Sequence, residues 1–321
     1  MNQPEEKGLW AIVLAAGRGT RLQGITTVGG EAVPKQFCAL RGDVSMLRRA
    51  LQRAAMLVPE PRIQVVVAAE QRKWWERELE DLAPASVVEQ PRDRGTANGV
   101  LLPLTAIHRQ DPEGMVVLLP ADHHVGREWI LQAALGQAVA AVHAHPEKVV
   151  LLGMTPEETD PEFGWIVPRR NDLPTEPAAV ERFREKPDAE EASALIAQGA
   201  LVNSFVLAAR VGTLLSLFER HLPELPALFR RWRGDAAGLR RLYEHLPTFD
   251  FSREILEPSV DRLAVVSVPP CGWSDLGTPA RVARCLETDR KEPAPVLLPA
   301  RHGFVPPVDL SRRLAGVQRG A

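Results

Sequence analysis

Short apolar runs alternate along the first half of the chain with segments whose apolar residues recur at helical spacing. Residues 9–16 form a nearly continuous apolar run that ends at a glycine, which is typical of a strand buried on both faces of a sheet. Similar runs lie at 63–69, 86–89, 115–119 and 149–154, and helical patterns lie at 46–57, 71–82, 96–108 and 128–143. Ser45 is the expected cap of the first of these helices. This alternation predicts an α/β fold with a mixed, mainly parallel central sheet flanked by helices.

The second half of the chain is less regular. Strands are predicted at 163–168, 179–183, 201–209 and 263–268, and helices at 189–198, through much of 211–244 and at 278–286. From Thr288 the chain is rich in Pro and Arg and has little periodicity. We therefore predict one large domain over residues 1–288 and an extended C-terminal tail over residues 289–321.

Composition narrows the classes of function. The 321 residues are 45% hydrophobic and 25% charged, with a formal net charge of −2, so the chain is an ordinary globular protein without the basic footprint of a nucleic-acid binder. No apolar run is long enough to span a membrane, and the polar start M-N-Q-P-E-E-K does not resemble a signal peptide. The three cysteines lack metal-site spacing. We predict a cytoplasmic protein with no membrane or nucleic-acid partner.

A glycine-rich turn, Gly17-Arg18-Gly19-Thr20-Arg21, follows the first predicted strand. Glycines permit positive φ and close approach of a ligand, and successive backbone N–H groups with arginines beside them bind phosphate oxygens. Leu22 stands where a dinucleotide-binding fingerprint needs its third glycine, and no Walker lysine follows. The turn indicates a phosphate site of another kind, while a purely structural turn remains the alternative.

Two aspartates lie in turns that follow predicted strands, Asp122 in L-P-A-D-H-H and Asp275 in G-W-S-D-L-G. Ligands of open α/β sheets bind at the carboxyl ends of strands, and carboxylate oxygens suit Mg²⁺. Aspartate is also favoured at helix caps and in turns, so a structural role is the alternative for both residues.

Two further polar stretches admit a functional and a structural interpretation. Lys186, in F-R-E-K-P-D, either holds a sugar phosphate or belongs to a solvated run of charges at a strand end. The loop from Glu89 to R-G-T-A at 94–97 is either a wall of a nucleotide pocket or a simple capping loop in which Thr96 caps the next helix.

Taken in order, the chain contains L-A-A-G-R-G-T-R-L, P-K-Q-F, R-G-T-A, L-P-A-D-H-H, F-G-W-I, F-R-E-K-P-D, V-N-S and G-W-S-D-L-G. This series resembles the sugar-1-phosphate nucleotidyltransferases, and mannose-1-phosphate guanylyltransferases in particular, over roughly residues 8–288. The resemblance implies a Rossmann-like nucleotidyltransferase fold. It also implies transfer of a nucleotidyl group from a nucleoside triphosphate, GTP above all, to mannose 1-phosphate or another sugar 1-phosphate, with release of pyrophosphate.

The resemblance also implies roles for individual residues. The residues that it assigns to the nucleotide are Ala15, Ala16, Gly17, Gly19, Thr20, Arg21, Lys35, Glu89, Arg94, Thr96 and Ala97. Those assigned to the sugar phosphate are Gly164, Glu185, Lys186 and Asn203. Arg21, Lys35 and Lys186 are the expected catalytic cations, and Asp122 and Asp275 the expected Mg²⁺ ligands. A homodimer is left open.

The chain departs from the family pattern at four places. Gly95 replaces the usual Asn, Phe205 the usual Gly and Ser252 the usual Asp, and the segment between Arg21 and Pro34 is longer than usual. These differences bear on the shape of the pocket more than on phosphate chemistry. They leave two alternatives open: a related enzyme that uses UTP, dTTP, CTP or ATP, and a non-catalytic sensor of sugar nucleotides on the same fold.

Overall fold

The computed structural model of the chain describes residues 8–169, 177–291 and 308–317. Most strands are rich in Val, Ile and Leu, residues that pack well on a pleated surface. The strands are β1 (Leu9–Leu14), β2 (Thr27–Val28), β3 (Glu31–Ala32), β4 (Cys38–Ala39), β5 (Ile63–Ala68), β6 (Val87–Gln90), β7 (Met115–Pro120), β8 (Val149–Met154), β9 (Gly164–Pro168), β10 (Ala178–Glu185), β11 (Leu201–Arg210), β12 (Leu263–Val268) and β13 (Val308–Asp309).

Most of the helices lie close to the positions that the periodicity predicts, but the first and the last were not predicted. They are α1 (Gln23–Thr26), α2 (Met46–Ala55), α3 (Arg72–Glu78), α4 (Gly95–Gln110), α5 (Glu128–Ala144), α6 (Ala189–Ala197), α7 (Val211–His221), α8 (Glu224–Arg231), α9 (Ala236–His245), α10 (Pro279–Lys291) and α11 (Leu310–Val317). Ser45 caps α2, as predicted, because its Oγ accepts a hydrogen bond from Arg48 N at 3.0 Å. Helix α4 begins before Thr96 and continues through Pro103, so the expectation that Thr96 caps it is wrong.

The main strands form a nine-stranded sheet in the order β6-β5-β1-β7-β11-β8-β12-β10-β9. The prediction of a mixed α/β sheet flanked by helices is confirmed. The description of the sheet as mainly parallel needs correction in the second half of the chain. There β9, β10 and β11 are antiparallel to the neighbours with which they pair, whereas β5–β6 and β8–β12 are parallel. The connection from Pro168, at the end of β9, to Ala178, at the start of β10, is shorter than the dozen or so residues that a parallel crossover requires.

The chain divides into two compact units. The first contains the residues up to Ile12 together with Pro91–Leu118 and Gln132–Pro270. Its core is built on β8, β11 and β12, and β11 bulges between Asn203 and Leu207. The second contains Val13–Gln90, Leu119–Leu131 and the chain from Cys271 onward. Its core includes the parallel pair β5–β6 and helix α2, whose apolar face is buried.

Part of the predicted tail is ordered. Strand β13 pairs in parallel with β4, and α11, which follows it, buries Leu310. The helix was not predicted, because its few apolar residues give a short signal within a Pro- and Arg-rich stretch. Residues 292–307 and 318–321 of the predicted tail, and the N-terminal segment M-N-Q-P-E-E-K, lie outside the described residues. The domain boundary at residue 288 stays a prediction. In the described part of the chain, every helix is too short or too polar to cross a bilayer.

Candidate functional site

The glycine-rich turn lies in the second unit and continues from β1. Gly19 has a φ of +60°, and a Cβ on it would lie 2.9 Å from the Cβ and N of Lys35, so glycine is required there. Gly17 is exposed and would have open space around a Cβ. Thr20 and Arg21 begin a short 3₁₀-helix, Thr20–Leu22, and both are exposed. The turn therefore presents exposed backbone and two arginines, Arg18 and Arg21, to solvent beside the segment that carries Lys35.

Two buried glutamines hold this turn from behind. Gln36 Nε2 donates hydrogen bonds to the carbonyls of Ala15 and Gly17, at 2.7 and 2.8 Å. Gln71 Nε2 donates to the same Gly17 carbonyl at 2.9 Å, and its Oε1 accepts from Gln36 at 3.0 Å. Ala15 N donates to Val66 O at 2.8 Å, while Ala16 is half-buried. Because these carbonyls are fixed on the protein side, the turn keeps its shape without a ligand.

Lys35 lies at the centre of what we call the Lys35 cluster, which comprises Arg21, Lys35, Asp122 and Asp275. Only 4% of Lys35 is exposed, so its ammonium needs partners inside the protein. Its Nζ lies 2.9 Å from Asp122 Oδ2 and donates a hydrogen bond to the backbone carbonyl of Asp275. Arg21 lies 3.4 Å from Asp275 Oδ2. The two aspartates, which are distant in sequence, therefore meet at one lysine.

A pair of backbone hydrogen bonds brings the two aspartate turns together. His124 N donates to Ser274 O at 2.9 Å, and Ser274 N donates to His124 O at 3.0 Å. Asp275 Oδ1 accepts from Gly277 N at 3.0 Å, so this aspartate also stabilises its own turn. The structural interpretation of Asp275 is thus confirmed, whereas its role as a metal ligand, for which Oδ2 beside Arg21 would be used, stays a prediction.

The Lys35 cluster offers two of the ligands that a hard divalent cation shared with phosphate would need, and the Mg²⁺ site stays a prediction. Asp122 and Asp275 offer carboxylate oxygens, with 31% and 12% of their side chains exposed. No group of three or more His, Cys, Asp or Glu side chains suited to a metal occurs in the part of the chain that the structure describes. A cation there would need oxygen atoms of water or substrate to complete its coordination shell, as Mg²⁺ commonly does in phosphate sites.

The charge state of Asp122 follows from its neighbours. Burial raises the pKa of its carboxyl, but the attraction of Lys35 and of His123 outweighs burial, so the pKa lies below its ordinary value. Burial lowers the pKa of His123 despite Asp122 beside it, so this imidazole is neutral at pH 7. His123 packs edge-on against Trp273, with 5.3 Å between the ring centroids. An ionised carboxylate in the middle of the Lys35 cluster is the result.

The residues predicted to bind the sugar phosphate lie in the first unit, and three of them meet there. Gly164 faces Glu185 in the register of β9 and β10. A Cβ on Gly164 would lie 2.5 Å from Glu185 Oε2 and 3.2 Å from the Cβ of Asn203, so only glycine admits both side chains. Asn203 Nδ2 donates to Ser252 Oγ at 3.5 Å. Gly164, Glu185, Asn203 and Ser252 form what we call the Gly164 cluster.

Lys186 follows this cluster at the end of β10. It is exposed and has a φ of +50°, a backbone conformation that is uncommon for a residue with a Cβ and that is enriched at functional sites. Lys186 N donates to Phe163 O at 3.1 Å, and Glu185 N donates to Glu257 Oε2 at 3.1 Å. Glu257 also pairs with Arg184 at 2.6 Å. These contacts hold the lysine backbone in its strained conformation.

Glu185 is the titratable group of the Gly164 cluster. Burial, together with the charge of Asp250, raises the pKa of Glu185 to about 7, although Lys186 opposes the shift. Near neutral pH the carboxyl is therefore present in both forms. When ionised it accepts hydrogen bonds from hydroxyl groups, and when protonated it also donates one.

The remaining predicted nucleotide residues make contacts of another kind. Arg94 donates to the carbonyls of Tyr243 and Glu244, Thr96 Oγ1 accepts from Phe251 N at 2.8 Å, and Ala97 N donates to Phe249 O at 3.1 Å. In the second unit, Glu89 forms an ion pair with Arg72. The groups of residues 94–97 thus attach the segment 247–251 to the start of α4. A nucleotide-binding role for them stays a prediction.

Phe205 has a φ of +60°, which accounts for the glycine that the family pattern places there. Its N donates to Asn203 Oδ1 at 3.1 Å, and its ring lies 5.8 Å from that of Phe251. We expect Phe205→Gly to widen the range of sugar phosphates accepted in a pyrophosphate-release assay. Its stability should change little, because relief of backbone strain, about 1–2 kcal/mol, offsets loss of the ring contact, about 0.5–1.5 kcal/mol.

Phe205→Leu is the matched control, since leucine keeps both the strained φ and most of the bulk. This variant should retain the narrow acceptor range and lose stability. If Phe205→Gly leaves the acceptor range as it was, the ring serves only in packing.

Three side chains that stabilise the predicted site residues were not singled out from the sequence. Gln71 supports the glycine turn, Glu257 supports the Lys186 backbone, and Arg281, which is 5% exposed, pairs with Asp275 at 2.8 Å. Each lies in a sequence context that is typical of an exposed helix or helix end, so only their burial and their partners distinguish them.

Comparisons with known proteins agree with this architecture. The profile of a family described as "Nucleotidyl transferase" matches residues 10–292. The xanthan biosynthesis protein XanB of Xanthomonas campestris is 31% identical over 278 residues, or 83% of this chain and 57% of that protein. Mannose-1-phosphate guanylyltransferase ManC of Salmonella typhimurium is 29% identical, over 84% of this chain and 58% of that protein. The chain thus spans a little over half the length of these relatives.

A solved structure supports the same conclusion. The crystal structure described as a mannose-1-phosphate geranyltransferase from Thermus thermophilus superposes with a TM-score of 0.74 at 28% identity, covering 87% of this chain and 79% of that one. An inositol-1-phosphate CTP transferase from T. maritima shares the fold, at a TM-score of 0.54 and 18% identity. Because the family profile covers most of the residues, from the glycine turn to α10, this chain belongs to the nucleotidyl transferase family.

Proposed function

We propose that this protein transfers a guanylyl group from GTP to mannose 1-phosphate, giving GDP-mannose and pyrophosphate. The observation that carries the proposal is the meeting of Asp122 and Asp275 at the buried Lys35, beside the glycine turn and Arg21. Such a set of cations, carboxylates and exposed backbone suits a triphosphate with a divalent cation. The names of the relatives from Salmonella typhimurium and Escherichia coli, both mannose-1-phosphate guanylyltransferases, support the choice of substrates.

The reaction needs no nucleophilic side chain. An anionic oxygen of the sugar phosphate forms a bond with the α-phosphorus, and the bond from that phosphorus to the α–β bridging oxygen breaks, so the electron pair leaves with pyrophosphate. The protein positions the reactants and neutralises charge. Arg21 and Lys35 would draw negative charge from the leaving pyrophosphate. Asp122 and Asp275 would hold Mg²⁺, which supplies positive charge to the phosphate oxygens.

The Gly164 cluster is our candidate for the sugar. Glu185 and Asn203 would bind hydroxyl groups of the ring, and Lys186 would attract the phosphate as an exposed point charge. Ser252 is smaller than the aspartate of the family pattern and carries no charge. This change and Phe205 both adjoin Asn203, so the identity of the sugar is the part of the proposal that the substrate assay must test most closely.

A grid of pyrophosphate-release assays tests the proposal. The five common nucleoside triphosphates are each combined with mannose, glucose, galactose and N-acetylglucosamine 1-phosphates, with Mg²⁺ and with EDTA. We expect GTP with mannose 1-phosphate to give the highest kcat/KM, and EDTA to abolish release. Titration calorimetry of each triphosphate without acceptor separates binding from turnover.

Each outcome of the grid has a distinct meaning. A higher kcat/KM with another triphosphate or sugar phosphate would show that the proposed substrates are wrong but that the protein is a nucleotidyltransferase. Tight binding of a nucleotide sugar without any pyrophosphate release would show that the protein is a sensor of nucleotide sugars and not an enzyme.

A further inference from the structure

Arg281 is a buried cation of the second unit that the family resemblance does not assign. It lies on α10, only 5% of it is exposed, and its Nη1 donates to Asp275 Oδ1 at 2.8 Å. Moving a guanidinium out of water is costly, and a buried arginine is tolerated where a carboxylate pairs with it. Because exposing or moving Arg281 would leave Asp275 without this partner, we infer that Arg281 stays beside the Lys35 cluster whether or not a ligand is bound.

The two oxygens of Asp275 have different surroundings. Oδ1 accepts from Arg281 and from Gly277 N, at 2.8 and 3.0 Å, inside the protein. Oδ2 lies 3.4 Å from Arg21, whose side chain is half exposed. A Cβ on Gly277 would overlap Asp275 Oδ2 and lie 3.1 Å from a nitrogen of each arginine, so Gly277 admits both guanidinium groups. Arg281 therefore fixes one oxygen of Asp275 inside the protein, while the other faces Arg21.

Asp122 and Asp275 are consequently neutralised by cations of the chain itself. Asp122 pairs with Lys35, and Asp275 pairs with Arg21 and Arg281. Arg21 is exposed and is able to turn toward a ligand, whereas Arg281 is enclosed. A free divalent cation that approaches Asp275 is thus repelled by a guanidinium that stays in place. A phosphate chain is attracted by the same charge.

From this arrangement we propose that Arg281 determines the order of binding, so that the site takes a phosphate anion, alone or together with its metal, but not the free metal. The inference rests on the proposed function only in placing a phosphate chain at the Lys35 cluster. Arg281 is a positioning residue, since it acts through Asp275. Coulomb attraction and repulsion over a few ångströms in a poorly solvated site change an affinity by about tenfold or more.

The test measures two ligands separately on the full chain. Manganese, as Mn²⁺ alone, is titrated by electron paramagnetic resonance, and inorganic pyrophosphate is titrated calorimetrically in EDTA. We expect Arg281→Gln to bind Mn²⁺ about tenfold more tightly and pyrophosphate about tenfold more weakly than the unsubstituted protein. Arg281→Lys, which keeps the charge, should stay near the unsubstituted values for both.

Opposite shifts for the two ligands distinguish this role from simple support of the fold, which would weaken both. Equal losses for both ligands, or no change in either, would overturn the inference. The double substitution Asp275→Asn with Arg281→Gln, which removes the pair together, should lose the gain in Mn²⁺ affinity. If Arg281→Gln alone fails to fold, Arg281→Met, which fills the space without the charge, takes its place in both titrations. If the unsubstituted protein binds pyrophosphate neither in EDTA nor with Mg²⁺, the placement of the phosphate site, and with it the proposed function, is wrong.

Discussion

Asp122→Asn is expected to lower the rate of pyrophosphate release by about 10²–10³, the usual loss for one preorganised electrostatic contact, while the protein stays folded. Asparagine keeps the shape of the side chain but removes the charge that pairs with Lys35 and that would hold Mg²⁺. The buried Lys35 loses a carboxylate partner, so the melting temperature should fall, but less than for Asp275→Asn, because Lys35 Nζ keeps the Asp275 carbonyl and about a third of the Asp122 side chain is exposed. Steady-state kinetics with excess Mg²⁺, together with a thermal melt, measure both effects.

Asp275→Asn should lower the rate to a similar extent and destabilise the protein more. The reason is that the buried Arg281 loses its carboxylate, and an uncompensated buried charge is costly. The two substitutions together should cost far less than the product of the single losses, because both disable one shared site. Asp111→Asn is the control: Asp111 accepts from Trp10 Nε1 at a helix end in the first unit, and this variant should keep full activity. Normal turnover in Asp122→Asn would refute the shared site.

The second large effect is expected in the thermal stability of a variant at Gly95. Gly95 has a φ of +78°, and a Cβ on it would overlap the carbonyl oxygen of Phe249. The left-handed φ alone costs a residue with a side chain about 1–2 kcal/mol, and the overlap forces the segment at 247–251 away from α4. Gly95→Ala should therefore lower the melting temperature clearly. It should also raise the KM for the sugar phosphate, because Ser252 of the Gly164 cluster follows Phe251, which Thr96 holds.

Gly95→Asn is informative because the family pattern has asparagine here. Asparagine tolerates a left-handed φ, but its Cβ meets the same carbonyl, so this variant should also be less stable. Gly212→Ala in α7 is the matched control. Gly212 has open space around a Cβ and lies within a helix, where alanine is favoured by up to about 1 kcal/mol. A Gly95→Ala protein as stable as the unsubstituted one would mean that segment 247–251 is not held in this way.

The sequence was most informative about elements whose cause is local. Hydrophobic periodicity located the buried strands β5, β7 and β8 within a residue or two, and the Ser45 cap marked the start of α2. The sequence was less informative about elements whose structure depends on pairing with segments that are distant in the chain. The direction of β9 to β11, the bulge of β11 and the start of α4 depend on partners that are remote in the chain.

By itself, the sequence determined the glycine turn, because at Gly19 the left-handed φ disfavours a side chain and the contact with Lys35 leaves no space for a Cβ. It also placed an aspartate in each of two turns. Tertiary structure alone decided that these aspartates meet. Their approach depends on the backbone bridge between His124 and Ser274 and on a buried ammonium that satisfies both turns. Likewise, Gln71 acquires its role from burial against Gly17 and Gln36, which are remote in the chain. Arg281 is close to Asp275 in sequence, but its burial beside Asp275 and Arg21 is decided by the tertiary structure.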